Sequence, residues 1–191
     1  TRTISSAASD VYKRQLQARD AWQQLRRCRQ SLEQRLGYPL TTLRLGHSLG
    51  CKLHLLAPDG GRGCRGLAAL SFNNFTADRS IPLLGTVAPA LGVVTEFSPG
   101  PEETLKLIGR YYLQPNNLVV RFGNDALDQS PDLLQTLQSR DQDASEFLQM
   151  SGDHLTPASA GLRQGLLGDW ADDPAKKKRI RRLTDALVAM I

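Results

Sequence analysis

Thr41-Thr42-Leu43-Arg44-Leu45-Gly46-His47-Ser48-Leu49-Gly50-Cys51-Lys52-Leu53-His54-Leu55-Leu56-Ala57 changes character at its middle. Thr41 to Leu45 is short, β-branched at its start and apolar at its end, as a buried strand is. Leu49 to Ala57 resumes a helical pattern and stops at Pro58-Asp59-Gly60-Gly61, a cluster of turn formers. Gly46-His47-Ser48-Leu49-Gly50 is therefore a strand-to-helix turn with a serine at its apex. Where a chain reverses this sharply, Gly46 and Gly50 leave room that a Cβ would fill, and the Ser48 hydroxyl is presented above the sheet.

The pattern repeats outward from this turn. Upstream, Ala18, Trp22, Leu25, Cys28, Leu32 and Leu36 recur every three or four residues, which predicts an amphipathic helix over Leu16 to Leu36, with Gly37 as its C-cap. Downstream, Arg65 to Phe72 reads as a second buried strand and Glu102 to Tyr112 as a helix opened by Pro101. Asn117 to Phe122 is a further strand, Ser130 to Leu137 a helix, Ser145 to Met150 a strand and Ala175 to Ile191 a last helix. Strands alternating with helices along the chain predict an α/β fold with a mostly parallel sheet covered by helices on both faces. Pro and Gly interrupt Asn73 to Pro101, so residues 72–101 are expected to be an irregular insertion or a lid.

Composition bounds the classes available. The chain has 191 residues, 40% of them hydrophobic and 23% charged, as in one globular domain. No apolar run approaches the roughly 20 residues needed to cross a bilayer. Cys28, Cys51 and Cys64 lack metal-ligand spacing and do not make a disulfide framework, so neither a metal site nor an oxidising compartment is expected. Asp10-Val11-Tyr12-Lys13-Arg14-Gln15 resembles an in-frame translation of a sequencing-library adapter. Residues 1–15 are accordingly read as an artefactual or disordered tail, and residues 16–191 as the domain. Without that tail the formal charge falls from +5 to +3, too small an excess to point to nucleic acid. The basic run Lys176 to Arg182 lies mostly opposite the apolar stripe of its helix and reads as a solvated face.

A serine hydroxyl needs a base to become nucleophilic, and the chain has three histidines. His47 sits inside the turn and is expected to point elsewhere. His54 lies on the following helix, where a structural role is expected. His154, in Ser151-Gly152-Asp153-His154-Leu155-Thr156-Pro157 after the last strand, is the expected base. The acid is expected after the preceding strand, where Asp125 is favoured by its closeness to the strand end and Asp128 is the alternative. The N–H of Leu49 would serve an oxyanion. Asn73 and Asn74 are candidate polar contacts beside a pocket.

Gly46 to Gly50, the Asn124-Asp125 turn after a Val-Val strand, and Gly152-Asp153-His154 together resemble the α/β-hydrolase superfamily. Ser71-Phe72-Asn73-Asn74-Phe75, Ser80-Ile81-Pro82 and Arg121-Phe122 to Asp128 are similar to a cyanobacterial and plastid family, domain of unknown function 1350. The resemblance implies a hydrolase-like fold and a Ser-His-Asp triad, and it supplies no substrate. Cys51 stands where a third glycine is common in the superfamily and is expected to crowd the helix slightly. Several strands precede the serine turn in that superfamily, and one precedes it here. The chain is therefore expected to be the C-terminal part of the fold, with its N-terminal strands missing and little activity by itself.

The expected function is that of a serine hydrolase of the esterase, lipase or thioesterase kind, working through an acyl-enzyme on a small ester-type substrate. It needs no metal or organic cofactor. The alternative is an inactive hydrolase-fold binding or scaffold module. The expected compartment is the cytoplasm, or the plastid stroma in a photosynthetic eukaryote.

Overall fold

A computed structural model describes residues 2–75, 99–157 and 174–190, with side chains from Ala18 onward in the first stretch. The elements are α1 (Arg2–Leu36), β1 (Leu43–His47), α2 (Gly50–Leu55), β2 (Gly66–Leu70), α3 (Pro101–Tyr111), β3 (Asn117–Phe122), α4 (Ser130–Gln138), β4 (Glu146–Met150) and α5 (Pro174–Val188). Helix α1 runs back to Arg2, ahead of Leu16 where its apolar periodicity begins. It ends where Gly37, at φ +78°, donates its N–H to the Glu33 carbonyl at 2.9 Å, a left-handed cap that spares any Cβ the strain. Of residues 72–101, expected to be an irregular insertion or a lid, 76–98 lie outside the described residues.

The four strands form one parallel sheet in the order β1-β2-β3-β4. Parallel neighbours require a crossover, and helices supply it between successive strands among the described residues. Alternation sends Leu67 and Ala69 of β2 to one face and Ala68 and Leu70 to the other. The first face packs under Cys51 and Leu55 of α2, Ile108 of α3, and Leu133 and Leu137 of α4. The second, with Val120 and Phe122, packs under Leu183 of α5. All of β2 is buried and nearly all of β3, whereas the outer strands β1 and β4 leave Leu45 and Phe147 exposed. Burying a Leu, Val or Phe side chain contributes on the order of 1.5–3 kcal/mol, so the two central strands and the helices packed on them share the core's stabilisation.

Strand β1 extends two residues past Leu45, because Gly46 and His47 pair with Ala69 and Leu70 of β2. That pairing is non-local, which is why residue preferences alone stop the strand early. It delivers the chain directly to Ser48.

The other end of β1 is held by charge. Arg44 is 5% exposed and donates to Asp59 through Nη1 at 3.0 Å and Nη2 at 2.5 Å. Asp59 also accepts the N–H groups of Gly61 and Gly63, both at 3.1 Å, so one carboxylate shapes the turn after α2 and pins it to the strand. Burial raises the Asp59 pKa, but Arg44 foremost, with the Gly61 N–H, outweighs it and leaves the carboxyl below its ordinary value. Removing one member of such a pair leaves the other charge buried without compensation. Asp59→Ala should destabilise the fold by about 3–5 kcal/mol in denaturant titration; a loss under about 1 kcal/mol would mean that the pair behaves as an exposed one.

Candidate active site

Parallel strands place their C-terminal ends, and the loops that follow, along one rim. Ser48 follows β1, Asp125 follows β3 and His154 follows β4, so the alternation of strands and helices brings three distant loops to that rim.

Ser48 has φ +56°, a left-handed conformation that costs a residue with a Cβ on the order of 1–3 kcal/mol. Its N–H donates to the Leu70 carbonyl at 3.0 Å, and its carbonyl accepts the Cys51 N–H at 3.2 Å. Those two bonds hold the turn between strand and helix. A Cβ at Gly46 would stand 2.7 Å from the Cα of Cys51, so side-chain-free backbone is required there. Gly50 differs from expectation, because a Cβ built on it meets nothing within 4 Å. It is the first residue of α2 and points to open space, so only the first glycine of the turn is sterically required. Cys51 is fully buried against Gly46, with its Sγ 3.7 Å from the Leu70 carbonyl. Burial pushes its thiol up to about 12, which leaves it a small apolar filler rather than a nucleophile.

The structure brings Ser48, His154 and Asp125 into one hydrogen-bonded series. His154 Nε2 lies 2.8 Å from Ser48 Oγ, and His154 Nδ1 lies 2.8 Å from Asp125 Oδ2. A carboxylate accepts only, so the proton sits on Nδ1 and Nε2 is free to accept from the serine hydroxyl. The Asp125 side chain is wholly inaccessible to solvent, and its other oxygen accepts the Leu127 N–H at 2.9 Å. Asp128 does not reach the imidazole. Its Oδ1 accepts the Ser130 N–H at 2.6 Å at the start of α4, and burial raises its pKa.

The remaining residues singled out in the sequence divide. The Leu49 N–H, the first after the serine, has no acceptor among the described residues. His54 donates from Nε2 to the Leu45 carbonyl at 3.1 Å, a structural bond. His47, expected to point elsewhere, instead turns its ring toward His154 and donates from Nε2 to that residue's carbonyl at 2.8 Å. Asn73 and Asn74, expected beside a pocket, are each 1% exposed. Asn73 Oδ1 accepts the Phe75 N–H at 3.0 Å, and Asn74 Nδ2 donates to the Pro101 carbonyl at 2.8 Å, so both brace the loop after β2 from within. Ser71, given no role in the sequence reading beyond the family resemblance, opens that loop at φ +48° and is fully buried. No residue spacing signals the His47 contact, since its partner is 107 positions away. Among the described residues no group of three or more His, Cys, Asp or Glu side chains could hold a metal ion, and no helix is long and apolar enough to cross a membrane.

Burial lowers the pKa of His47 and of His54, with the charge of Arg44 adding to the effect at His54. The unfolded chain protonates both rings below about pH 6.5, while the folded chain resists until lower pH. Their contribution is therefore fully present above about pH 6.5 and is lost as pH falls toward the folded values. The denaturation midpoint should decline from about pH 7 to about pH 5, and less steeply in His54→Gln, which keeps a donor for Leu45; an identical slope in the variant would remove His54 from the explanation.

A family model described as a protein of unknown function, DUF1350, matches residues 3–171. No curated protein matches the chain at a significant level. Among solved structures it is similar to a monoacylglycerol lipase from Paleococcus ferrophilus, with 12% identity and a TM-score of 0.51 over 89% of this chain and 76% of that one. It also aligns with an α/β hydrolase from Penicillium sp. sh18, at 14% identity and TM-score 0.49, covering 87% of this chain and 70% of that one. A thioesterase domain from the curacin biosynthetic pathway aligns at 15% identity and TM-score 0.44, covering 76% and 70%. The likeness to the lipase shows an α/β-hydrolase-like fold.

Proposed function

We propose a serine hydrolase activity for this chain, which belongs to the DUF1350 family of proteins of unknown function. The observation that carries the proposal is the pair of 2.8 Å contacts from His154, one to Ser48 Oγ and one to buried Asp125. A structural histidine needs one partner on each nitrogen, but it has no need of a serine held in a strained conformation at a strand end.

In this reading Ser48 Oγ attacks the carbonyl carbon of an ester-type substrate while its proton passes to His154 Nε2. Asp125 accepts from Nδ1, fixes the tautomer and stabilises the imidazolium. The Leu49 N–H donates to the oxyanion as it forms. Collapse breaks the bond to the leaving alcohol or thiol, which takes the proton from Nε2 and leaves an acyl group on Ser48. Water then attacks the acyl carbon and gives a proton to His154 Nε2, and collapse breaks the bond to Ser48 Oγ, which takes that proton back as a carboxylic acid is released. The substrate class is a small acyl ester or thioester, since this chemistry asks only for a carbonyl and a leaving group. No step calls on a metal or an organic cofactor.

A serine-directed phosphonate reporter tests the reading on the full-length protein. Ser48→Ala should abolish labelling, and His154→Ala should slow ester turnover by up to roughly a millionfold. Asp125→Asn should cost about ten-thousandfold and Asp128→Asn almost nothing, because only the first carboxylate touches the imidazole. Labelling that persists in Ser48→Ala would sink the proposal, and an unlabelled native protein would favour a hydrolase-fold binding module instead.

A further inference from the structure

Two consecutive residues of the serine turn hold the same distant residue by different atoms. Ser48 Oγ meets the His154 imidazole, and His47 Nε2 meets the His154 backbone carbonyl, each at 2.8 Å. In a regular strand successive side chains diverge to opposite faces. The left-handed Ser48 breaks that alternation. A carbonyl accepts only, so His47 Nε2 carries the proton in this bond.

Among the described residues, the turn that carries His154 is otherwise bonded mainly to itself. Asp153 and Thr156 exchange backbone and side-chain bonds of 2.9–3.1 Å, and the Leu155 N–H donates to Asp153 Oδ1 at 3.0 Å. Gly152 sits at φ +136°, where a Cβ would stand 2.5 Å from Thr156 Oγ1. These bonds give the turn a shape without fastening it to the body. On the β3 side the Asn124 N–H donates to the Gly152 carbonyl at 2.8 Å. On the β1 side, among the described residues, the tie to its backbone is His47.

We propose that His47 is a positioning residue that clamps the His154 turn to the end of β1 and so sets the Ser48-to-imidazole distance. The kinetic part of this inference rests on the serine hydrolase reading, while the clamp itself does not. The two rings lie 5.0 Å apart between centroids, so a cation on His47 would oppose the imidazolium that His154 becomes. The groups that face His47 are His154 and, further off, Asp125; burial is the largest influence and keeps its ring neutral below the ordinary imidazole range. The clamp therefore holds His154 without contesting its charge.

The experiment uses the full-length protein with His47→Ala, which removes the donor, and His47→Gln, whose amide N–H replaces Nε2–H. Amide hydrogen exchange at Asp153 to Thr156 should quicken about tenfold in His47→Ala and return close to the native rate in His47→Gln. Ester turnover should fall on the order of a hundredfold in kcat with KM little changed, and again be restored by glutamine. If the alanine variant does not fold, His47→Phe supplies a ring of similar shape without a donor. Native exchange and native kcat in the non-donor variant, or a glutamine variant as impaired as the alanine one, would overturn the clamp. A native protein that turns over no ester would defeat the hydrolase reading, and the exchange rates would still decide the clamp.

Discussion

Ser48 occupies a backbone conformation that costs free energy, and the rest of the structure is arranged so that it has no alternative. Its N–H is taken by Leu70 of the neighbouring strand and its carbonyl by Cys51 of the following helix. Relaxing the turn would give up both bonds and would lift α2 from the sheet, exposing Cys51 and Leu55. Gly46 makes this possible, since its missing side chain lets the Cα of Cys51 come close. A penalty of a few kcal/mol at one residue is thus held in place by a core that contributes many times more.

The sheet then determines which residues can meet that serine. With strand order equal to chain order, β1 and β4 are the outer strands and β3 stands beside β4. Asp125 after β3 is therefore adjacent to the turn after β4, and the Asn124 N–H bond to the Gly152 carbonyl joins those two loops directly. The Ser48 loop, by contrast, is separated from the β4 loop by two strands. His154 must reach across, and its imidazole and carbonyl are the two groups that do so. The imidazole is thus held between Ser48 and Asp125, and the serine turn engages the backbone of the same residue as well.

Much of this was legible in the sequence because it is written in local signals. Gly46 to Gly50 between an apolar β-branched segment and a helical pattern marks the turn, and Pro101 with Glu102 and Glu103 marks the start of α3, where the structure places it. Three histidines left few partners for Ser48 to be brought against. What was not legible is non-local. The extension of β1 to His47 depends on pairing with Leu70, and the orientation of His47 depends on a turn 107 residues away. Glycine spacing equally misled at Gly50, since a motif records which residue is present and not which neighbour would collide with a side chain. Asn73 and Asn74 look like ligand contacts by residue type, yet the loop after β2 needs internal donors and acceptors once it is buried.

Asp125 and Asp128 show how one loop assigns two carboxylates different work. Both follow β3, Asp125 buried and Asp128 half-buried, and composition alone does not separate them. Asp125 has partners on both oxygens, the Leu127 N–H on one and His154 Nδ1 on the other, so its charge is compensated where it is buried. Asp128 has the Ser130 N–H on one oxygen, and its second oxygen has no hydrogen-bond partner among the described residues. Burial accordingly raises its pKa, with the nearby charge of Asp125 working in the same direction. Of the two carboxylates, Asp125 is the one that lies against His154 Nδ1, which is the place the proposed mechanism needs an acceptor. The same loop thereby supplies a hydrogen-bond acceptor for His154 Nδ1 and, through Asp128, an acceptor for the N–H of Ser130 at the start of α4.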